Sequence, residues 1–157
     1  MFRIAKYEDI EKISKLRVMQ PKDDWKELYP NKDEEFYIIT KDYLEEHLNR
    51  DIFFFIEIIA YKIVATCGLQ VIHSMPQCVE SGIEGYICDV FTLKEYRRKG
   101  IQTNLIKECI KFAKEKHIIE LKLSSDNPEA IKIYKDLGFE YDNLIMKRKI
   151  KENEVDE

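Results

Sequence analysis

Tyr96-Arg97-Arg98-Lys99-Gly100-Ile101-Gln102-Thr103 is the most informative segment of the sequence. It follows an apolar run, Tyr86 to Phe91, that is typical of a β-strand, and it opens an amphipathic segment that is predicted to be a helix. At a helix start the first N–H groups have no partner within the helix, and the helix dipole adds roughly half a positive charge. A basic loop at this point therefore predicts an anion site, such as a phosphate site. Gly100 would let the backbone approach that ligand without a Cβ in the way.

Size and composition indicate one globular unit. We expect a single domain over residues 1–150 and a solvated tail over 151–157, because 157 residues are too few for two ordinary domains. The formal net charge of −4 argues against nucleic-acid binding, so the basic cluster is local. The longest apolar stretch, 52–72, is interrupted by Glu57 and Lys62, and no membrane span is expected.

The cysteines indicate a reducing compartment. Their spacing contains no C-x-x-C pair and is too sparse for a disulfide framework: Cys67, Cys78, Cys88 and Cys109. We therefore expect reduced thiols, a cytoplasmic location and no metal site.

Hydrophobic periodicity predicts a chain that mixes strands and helices. The predicted strands are 2–5, 53–59, 63–72, 83–92, 118–123 and 144–150. The predicted helices are 8–18, 33–48, 101–116 and a last helix that is capped by Asn127, begins with Pro128 and ends before Gly138. We expect 53–59 and 63–72 to form an antiparallel hairpin, although the turn between them lacks Asn-Gly.

The basic glycine loop and four features downstream of it form a recognisable set. Asn127, Ala130, Tyr134 and the pair Gly138-Phe139 follow the loop at offsets that resemble the GNAT superfamily of acyl-CoA N-acyltransferases. The resemblance covers roughly 82–150 well. The N-terminal half agrees with the family in the order and type of its elements.

One position of the loop departs from the family pattern. The pattern is Gln or Arg, two residues, Gly, one residue, then Gly or Ala. Arg97 and Gly100 satisfy it, whereas Gln102 is a larger residue than the pattern has. The Gln102 side chain must therefore either turn aside from the pyrophosphate or contact it.

The resemblance implies an α/β (α+β) fold with a mixed, mostly antiparallel sheet of six to seven strands, splayed at its centre and flanked by about four helices. It implies an N-acetyltransferase that moves an acetyl group from acetyl-CoA to a primary amine by direct attack within a ternary complex, without a metal. The implied acceptor is a small-molecule or peptide amine, and a homodimer stays open.

The resemblance also implies roles for particular residues. The cofactor-binding set consists of Val90, Phe91, Thr92, Arg97, Arg98, Lys99, Gly100, Ile101, Gln102, Thr103, Asn127 and Tyr134. In this set the backbone at 90–92 would pair with pantetheine and the amides of 98–103 would hold the pyrophosphate. Tyr134 would protonate the departing thiolate.

A base is expected because the attacking amine must be neutral. A lysine-like amine with a pKa of about 10.4 is neutral about once in 2,500 molecules at pH 7. The candidate bases are Glu84 and Asp89 on the strand, with Glu80 further out on the preceding loop. Glu84 lies nearest the position where several family members have an acidic base, but the residues alone do not decide among the three.

Each of these residues also has a purely structural interpretation. Arg97 to Lys99 could form a solvated turn, Asn127 is a good helix cap, and Tyr134 shares a helical face with apolar residues. The functional alternative to an enzyme is a catalytically silent CoA-binding sensor or partner-binding module.

Acceptor choice is expected to depend on two segments, 19–33 and 73–82. They contain aromatic and acidic residues that would suit a cationic amine: Asp23, Asp24, Trp25, Glu27, Tyr29 and Glu80.

Overall fold

The computed structural model describes residues 1–20, 27–78 and 80–148. The strands are β1 (Phe2–Ile4), β2 (Ile52–Ile59), β3 (Lys62–His73), β4 (Ile83–Thr92) and β5 (Glu120–Lys122). The helices are α1 (Ile10–Val18), α2 (Asp33–His47), α3 (Ile101–Glu115) and α4 (Pro128–Asp136). Single 3-10 turns lie at Tyr7–Asp9 and Lys94–Tyr96. Asp23, Asp24 and Trp25, which were expected to influence acceptor choice, lie outside the described residues.

The chain divides into two compact units, Met1–Ser124 and Ser125–Glu157. The first unit holds the sheet with α1, α2 and α3, and the second holds α4. The single domain expected over 1–150 stays a prediction.

The sheet is mixed and mostly antiparallel, which confirms the predicted fold class. Its strand order is β1-β2-β3-β4-β5, with antiparallel neighbours up to β4 and a parallel pairing of β4 with β5. The described residues form five strands rather than six to seven. The strand predicted over 144–150 is absent at 144–148, where Leu144 and Met146 are exposed, and 149–150 lie outside the described residues. A β-prone run becomes a strand only where a neighbouring strand takes up its backbone hydrogen bonds.

The two faces of the sheet have separate cores. On one face, side chains of α1 and α2 pack on side chains of β2 and β3. The residues of this core are almost fully buried: Ile10, Ile13, Leu44, Phe54, Ile56 and Val64. On the other face, the rings of Phe53 and Phe55 lie 4.8 and 5.5 Å from the ring of Phe112 in α3. Burial of each such side chain stabilises the fold by about 1.5–3 kcal/mol, so both layers are firmly held to the sheet.

The predicted hairpin is confirmed, and its turn uses unusual residues. Ala60 and Tyr61 connect β2 to β3 with φ values of +48° and +62°. Positive φ at both central residues defines the type I′ turn, whose twist matches that of the strands. The turn therefore forms without Asn-Gly because the paired strands on either side impose its geometry.

Candidate active site

The basic loop joins the end of β4 to the start of α3. Arg98 and Gly100 have φ values of +61° and +74°, and Gly100 is the residue that precedes the helix. The first intrahelical hydrogen bond runs from the Asn104 N–H to the Gly100 carbonyl, at 3.1 Å. The N–H groups of Ile101 to Thr103 therefore have no carbonyl partner within the helix, and the first turn contains no acidic side chain that could accept from them. This start of a 15-residue helix can accept an anion.

Gly100 leaves room beside the loop. A Cβ placed on Gly100 would have nothing within 4 Å. The glycine is therefore needed for its left-handed backbone, and the space next to it is open for a ligand.

Gln102 turns aside from the loop. Its Nε2 donates to the Phe91 carbonyl at 2.7 Å, to Thr92 Oγ1 at 2.9 Å and to the Thr66 carbonyl at 3.1 Å. The side chain thus binds β3 and β4 and leaves the helix start clear. Its Oε1 is buried and has no hydrogen-bond partner among the described residues.

The sheet is splayed beside β4. The parallel pairing of β4 with β5 ends at Tyr86 opposite Lys122, whereas β4 continues to Thr92. In the described part of the chain, the β5 side of 87–92 therefore has no neighbouring strand. An extended ligand could pair with this edge as an added strand.

The direction of the backbone groups along this edge follows from the antiparallel ladder. The Leu93 N–H donates to the Val64 carbonyl in β3, so Phe91 also turns its backbone toward β3, and Val90 and Thr92 turn theirs to the open edge. The Thr92 carbonyl already accepts from Arg97 Nε at 2.9 Å. Val90 is consequently the residue best placed to pair with a ligand.

Asp89 forms a β-bulge in β4 immediately before this edge. Thr66 pairs with Phe91 and Gly68 with Cys88, so one residue of β3 opposes two residues of β4. Asp89 has a φ of +48°, and its carbonyl accepts from Thr66 Oγ1 at 3.0 Å. Its side chain accepts from Arg17 Nε at 2.7 Å, so this candidate base is an ion-paired carboxylate.

Glu84 lies at the other end of β4, beside a cavity of about 330 Å³. Its Oε2 accepts from Lys122 Nζ at 3.2 Å and from Ser74 Oγ at 3.4 Å. The hydrogen bond to Glu84 raises the pKa of the Lys122 ammonium. The residues that line the cavity are Ser74, Met75, Gln77, Glu80, Gly82, Glu84, Ile119 and Glu120. Two candidate bases, Glu80 and Glu84, thus share one cavity, and Asp89 is not part of its lining.

The cysteines beside the site are poor nucleophiles. All four are free thiols. Burial raises the pKa of the Cys88 thiol far above its usual range, and the charge of Asp89 adds to the effect. A hydrogen bond with Cys109, together with burial, raises the pKa of Cys67. These thiols stay protonated at neutral pH.

Asn127 and Tyr134 belong to the second unit. Asn127 Oδ1 accepts from the N–H groups of Glu129 and Ala130 at 3.0 and 3.3 Å, which confirms it as the cap of α4. Tyr134 is buried, and its ring packs against the edge of Phe139 at 6.0 Å. Both residues therefore have the structural roles that the sequence offered as alternatives. Their roles toward a cofactor stay predictions.

Sequence reasoning missed Arg17 as a partner of the site. A signal was present, because Arg17 lies on the same helical face as the buried Ile10 and Ile13. A charged side chain on a buried face requires a partner, but a local pattern does not identify Asp89, 72 residues away.

Two further observations concern metals and membranes. Among residues 1–20, 27–78 and 80–148, no group of His, Cys, Asp and Glu could hold a metal ion. The helices in those same ranges are too short or too polar to cross a bilayer.

The sequence and the fold both match known acetyltransferases. Residues 17–139 match the family described as "Acetyltransferase (GNAT) family". The chain is 29% identical over 147 residues to an N-alpha-acetyltransferase from Saccharolobus solfataricus, a match that covers 87% of this chain and 78% of the relative.

Solved structures share the fold. A predicted acetyltransferase with acetyl-CoA from Clostridium acetobutylicum superposes with a TM-score of 0.76 at 24% identity, over 95% of each chain. The aminoglycoside N-acetyltransferase AAC(6')-Iy, in complex with a CoA-based bisubstrate analogue, superposes with a TM-score of 0.71 at 18% identity. That match covers 96% of this chain and 98% of the other.

Proposed function

Because the chain belongs to the GNAT family and is an acyl-CoA-dependent acetyltransferase, we propose that it transfers an acetyl group from acetyl-CoA to a primary amine by direct attack within a ternary complex. The observation that carries this proposal is the open edge of β4 beside the unobstructed start of α3. One feature suits an extended chain with amide groups and the other suits a diphosphate, and CoA contains both.

The residues present fit the cofactor. The N–H groups of Ile101 to Thr103, with Gly100 beside them, would hold the pyrophosphate, and the basic side chains of Arg98 and Lys99 would add positive charge nearby. Val90 would pair with the pantetheine arm. The bound thioester supplies an activated acetyl group. The free cysteines support a cytoplasmic location.

For the acceptor, we propose an α-amine, such as the N-terminus of a peptide. An α-amine has a pKa of about 7.7–8.0, so at pH 7 roughly one molecule in six to eleven is neutral, against about one in 2,500 for a lysine side chain. The free-energy cost of bringing the amine to its neutral form at pH 7 is about 1.0–1.4 kcal/mol for an α-amine and about 4.6 kcal/mol for a lysine side chain.

The carboxylates near β4 favour an acceptor that needs little help from a base. Asp89 is engaged by Arg17 at 2.7 Å and Glu84 by Lys122 at 3.2 Å, so protonation of either carboxylate would weaken an ion pair. The Saccharolobus relative is an N-alpha-acetyltransferase, which supports the same acceptor class.

Within this scheme Glu84 is the proposed base, directly or through water, because it faces a cavity that an acceptor can enter. Tyr134 is the proposed acid for the thiolate. A thiol with a pKa near 8.5 is a fair leaving group without assistance, so Tyr134 contributes less than the positioning of the reactants. An aminoglycoside-like amine is the second acceptor class, since the fold is shared with AAC(6')-Iy.

The test is transfer of labelled acetyl from acetyl-CoA, followed by mass spectrometry. The panel contains tetrapeptides with a free α-amine, the same peptides blocked at the α-amine but carrying lysine, and aminoglycosides. We expect acetylation of the free α-amine and at least tenfold less on lysine at pH 7. A preference for lysine would contradict the acceptor assignment. Binding of acetyl-CoA without transfer to any amine would instead support the silent CoA-binding module.

A further inference from the structure

We propose that Arg17 is a positioning residue for acetyl transfer: by clamping Asp89, it holds the bulge of β4 in the shape that presents Val90 to the cofactor. The inference rests on the proposed function, because Val90 matters only if the open edge of β4 receives the pantetheine arm. It also reassigns Asp89, a candidate base, to a positioning role.

Arg17 is fixed by three elements at once. It projects from α1, its Nη1 donates to Thr40 Oγ1 in α2 at 3.3 Å, and its guanidinium lies 5.2 Å from the centre of the Phe36 ring. Thr40 is almost fully buried, with 1% of its surface exposed. The guanidinium therefore has little freedom, and its Nε reaches Asp89 from a fixed position.

Asp89 in turn sets the direction of the strand that follows it. A residue with a Cβ rarely adopts a φ of +48°, so the bulge requires contacts that hold it. Two such contacts are observed: Thr66 binds the Asp89 carbonyl, and Arg17 binds the Asp89 carboxylate. The ion pair is mostly shielded from water, with 29% of the Arg17 side chain and 18% of the Asp89 side chain exposed.

Loss of the clamp affects the edge at Val90 and spares the start of α3. The pyrophosphate donors at 101–103 are held by α3 itself, whose first hydrogen bond runs from the Asn104 N–H to the Gly100 carbonyl. The nucleotide end of acetyl-CoA should thus still bind, while the thioester end is misplaced. A misplacement of about 1 Å can cost roughly 100-fold in rate, so the expected signature is a lower kcat at nearly constant cofactor affinity.

Four full-length variants are compared with the parent for kcat and for the Kd of acetyl-CoA: Arg17→Gln, Asp89→Ala, Asp89→Asn and the double variant Arg17→Gln/Asp89→Ala. Arg17→Gln and Asp89→Ala should each lower kcat about 10- to 100-fold, with Kd within about threefold of the parent value. The double variant should be no worse than either single one, because both remove the same contact. Asp89→Asn should keep at least a third of kcat, since its amide oxygen can still accept from Arg17 and Asn tolerates positive φ.

Three results would overturn the proposal: single variants within twofold of the parent in kcat, losses that multiply in the double variant, or Asp89→Asn as inactive as Asp89→Ala. The last result, with a changed acidic limb of the pH profile, would make Asp89 a base. If Arg17→Gln does not fold, the contrast between Asp89→Ala and Asp89→Asn decides alone.

Amide hydrogen exchange separates this inference from the proposed function. Exchange should rise at Phe91 and Leu93, whose N–H groups turn toward β3, in Arg17→Gln and Asp89→Ala and stay unchanged at Asn104, whose N–H makes the first hydrogen bond of α3, whether or not the parent acetylates an amine. Unchanged exchange at Phe91 and Leu93 contradicts the clamp. A parent that transfers no acetyl group contradicts only the proposed function.

Discussion

At the scale of single residues, Gly100 is the sharpest test of the proposed anion site. Gly100→Ala should lower stability by about 1–2 kcal/mol, because an L side chain is disfavoured at a φ of +74°. It should also weaken CoA binding at least tenfold, because the new methyl group would occupy space beside the pyrophosphate donors. Thermal unfolding and titration calorimetry measure the two effects.

Gly138 provides a matched control for that substitution. It has a φ of +91°, and a Cβ there would also meet nothing within 4 Å. Gly138→Ala should therefore lower stability by a similar amount but leave the Kd of CoA within about twofold. Equal losses of affinity in both variants would mean that the effect of Gly100→Ala is not local.

Gln102 offers a second test at this scale. Glutamate has nearly the same shape as glutamine, but an ionised glutamate can only accept hydrogen bonds, whereas Gln102 donates them. Gln102→Ala removes hydrogen bonds to the Phe91 and Thr66 carbonyls and should cost about 1–3 kcal/mol. At pH 8, Gln102→Glu should lower the free energy of unfolding by more than Gln102→Ala does, since its carboxylate would be repelled by those carbonyl oxygens. The difference in free energy of unfolding between Gln102→Glu and the parent should shrink as the pH falls, because a protonated glutamate can donate a hydrogen bond.

Urea unfolding at pH 8 and pH 5 measures this difference, with the exposed Gln77→Glu as the control. A Gln102→Glu variant as stable as the parent at pH 8 would show that Nε2 does not hold the two strands.

At the scale of elements, a buried ion pair connects β1 to the start of α1. Arg3 donates to both Asp9 oxygens at 2.6 and 2.9 Å, and the Lys6 N–H donates to Oδ2 at 2.8 Å. Burial raises the pKa of Asp9, but the hydrogen bonds from Arg3 and Lys6 outweigh it, so the pKa is lowered from 3.8. The stabilisation is therefore present above pH 3.8 and is lost as the pH falls through the lower pKa of the folded protein.

Asp9→Asn tests this linkage. It should destabilise the protein by about 1.5–3 kcal/mol at pH 7, since it weakens hydrogen bonds to a charged group. The difference from the parent should narrow below pH 3.8, as the parent carboxylate becomes protonated. Urea unfolding measures the stability of both proteins. If the difference in free energy of unfolding stays constant from pH 7 to pH 3, the lowered pKa of Asp9 does not contribute to stability.

Sequence patterns predicted most helices and strands and the basic loop before α3, because the signals for these features lie close together in the sequence. The cap at Asn127 and the apolar stripe of α3 depend on neighbours within a few residues, so the sequence contains the information. The bulge at Asp89 and its contact with Arg17 depend on the pairing of distant segments, and no local signal marks them. The same limitation explains the strand predicted over 144–150 that is absent at 144–148.

At the scale of the whole molecule, the two faces of the sheet contribute different parts of the proposed site. One face carries α1 and α2, which reach the bulge through Arg17, and the other carries α3, whose start is the proposed anion site. Among the described residues, no strand pairs with the β5 side of β4 beyond Tyr86. The central claim is that acetyl-CoA binds along this edge with its pyrophosphate at the start of α3.

Amide hydrogen exchange with and without acetyl-CoA can detect this binding mode, because it reports on each backbone donor. We predict slower exchange at Val90 and at 100–103 when acetyl-CoA is bound, with little change in α2. Binding that protects other segments and leaves Val90 and 100–103 unchanged would contradict the claim, as would the absence of any protection at saturating acetyl-CoA.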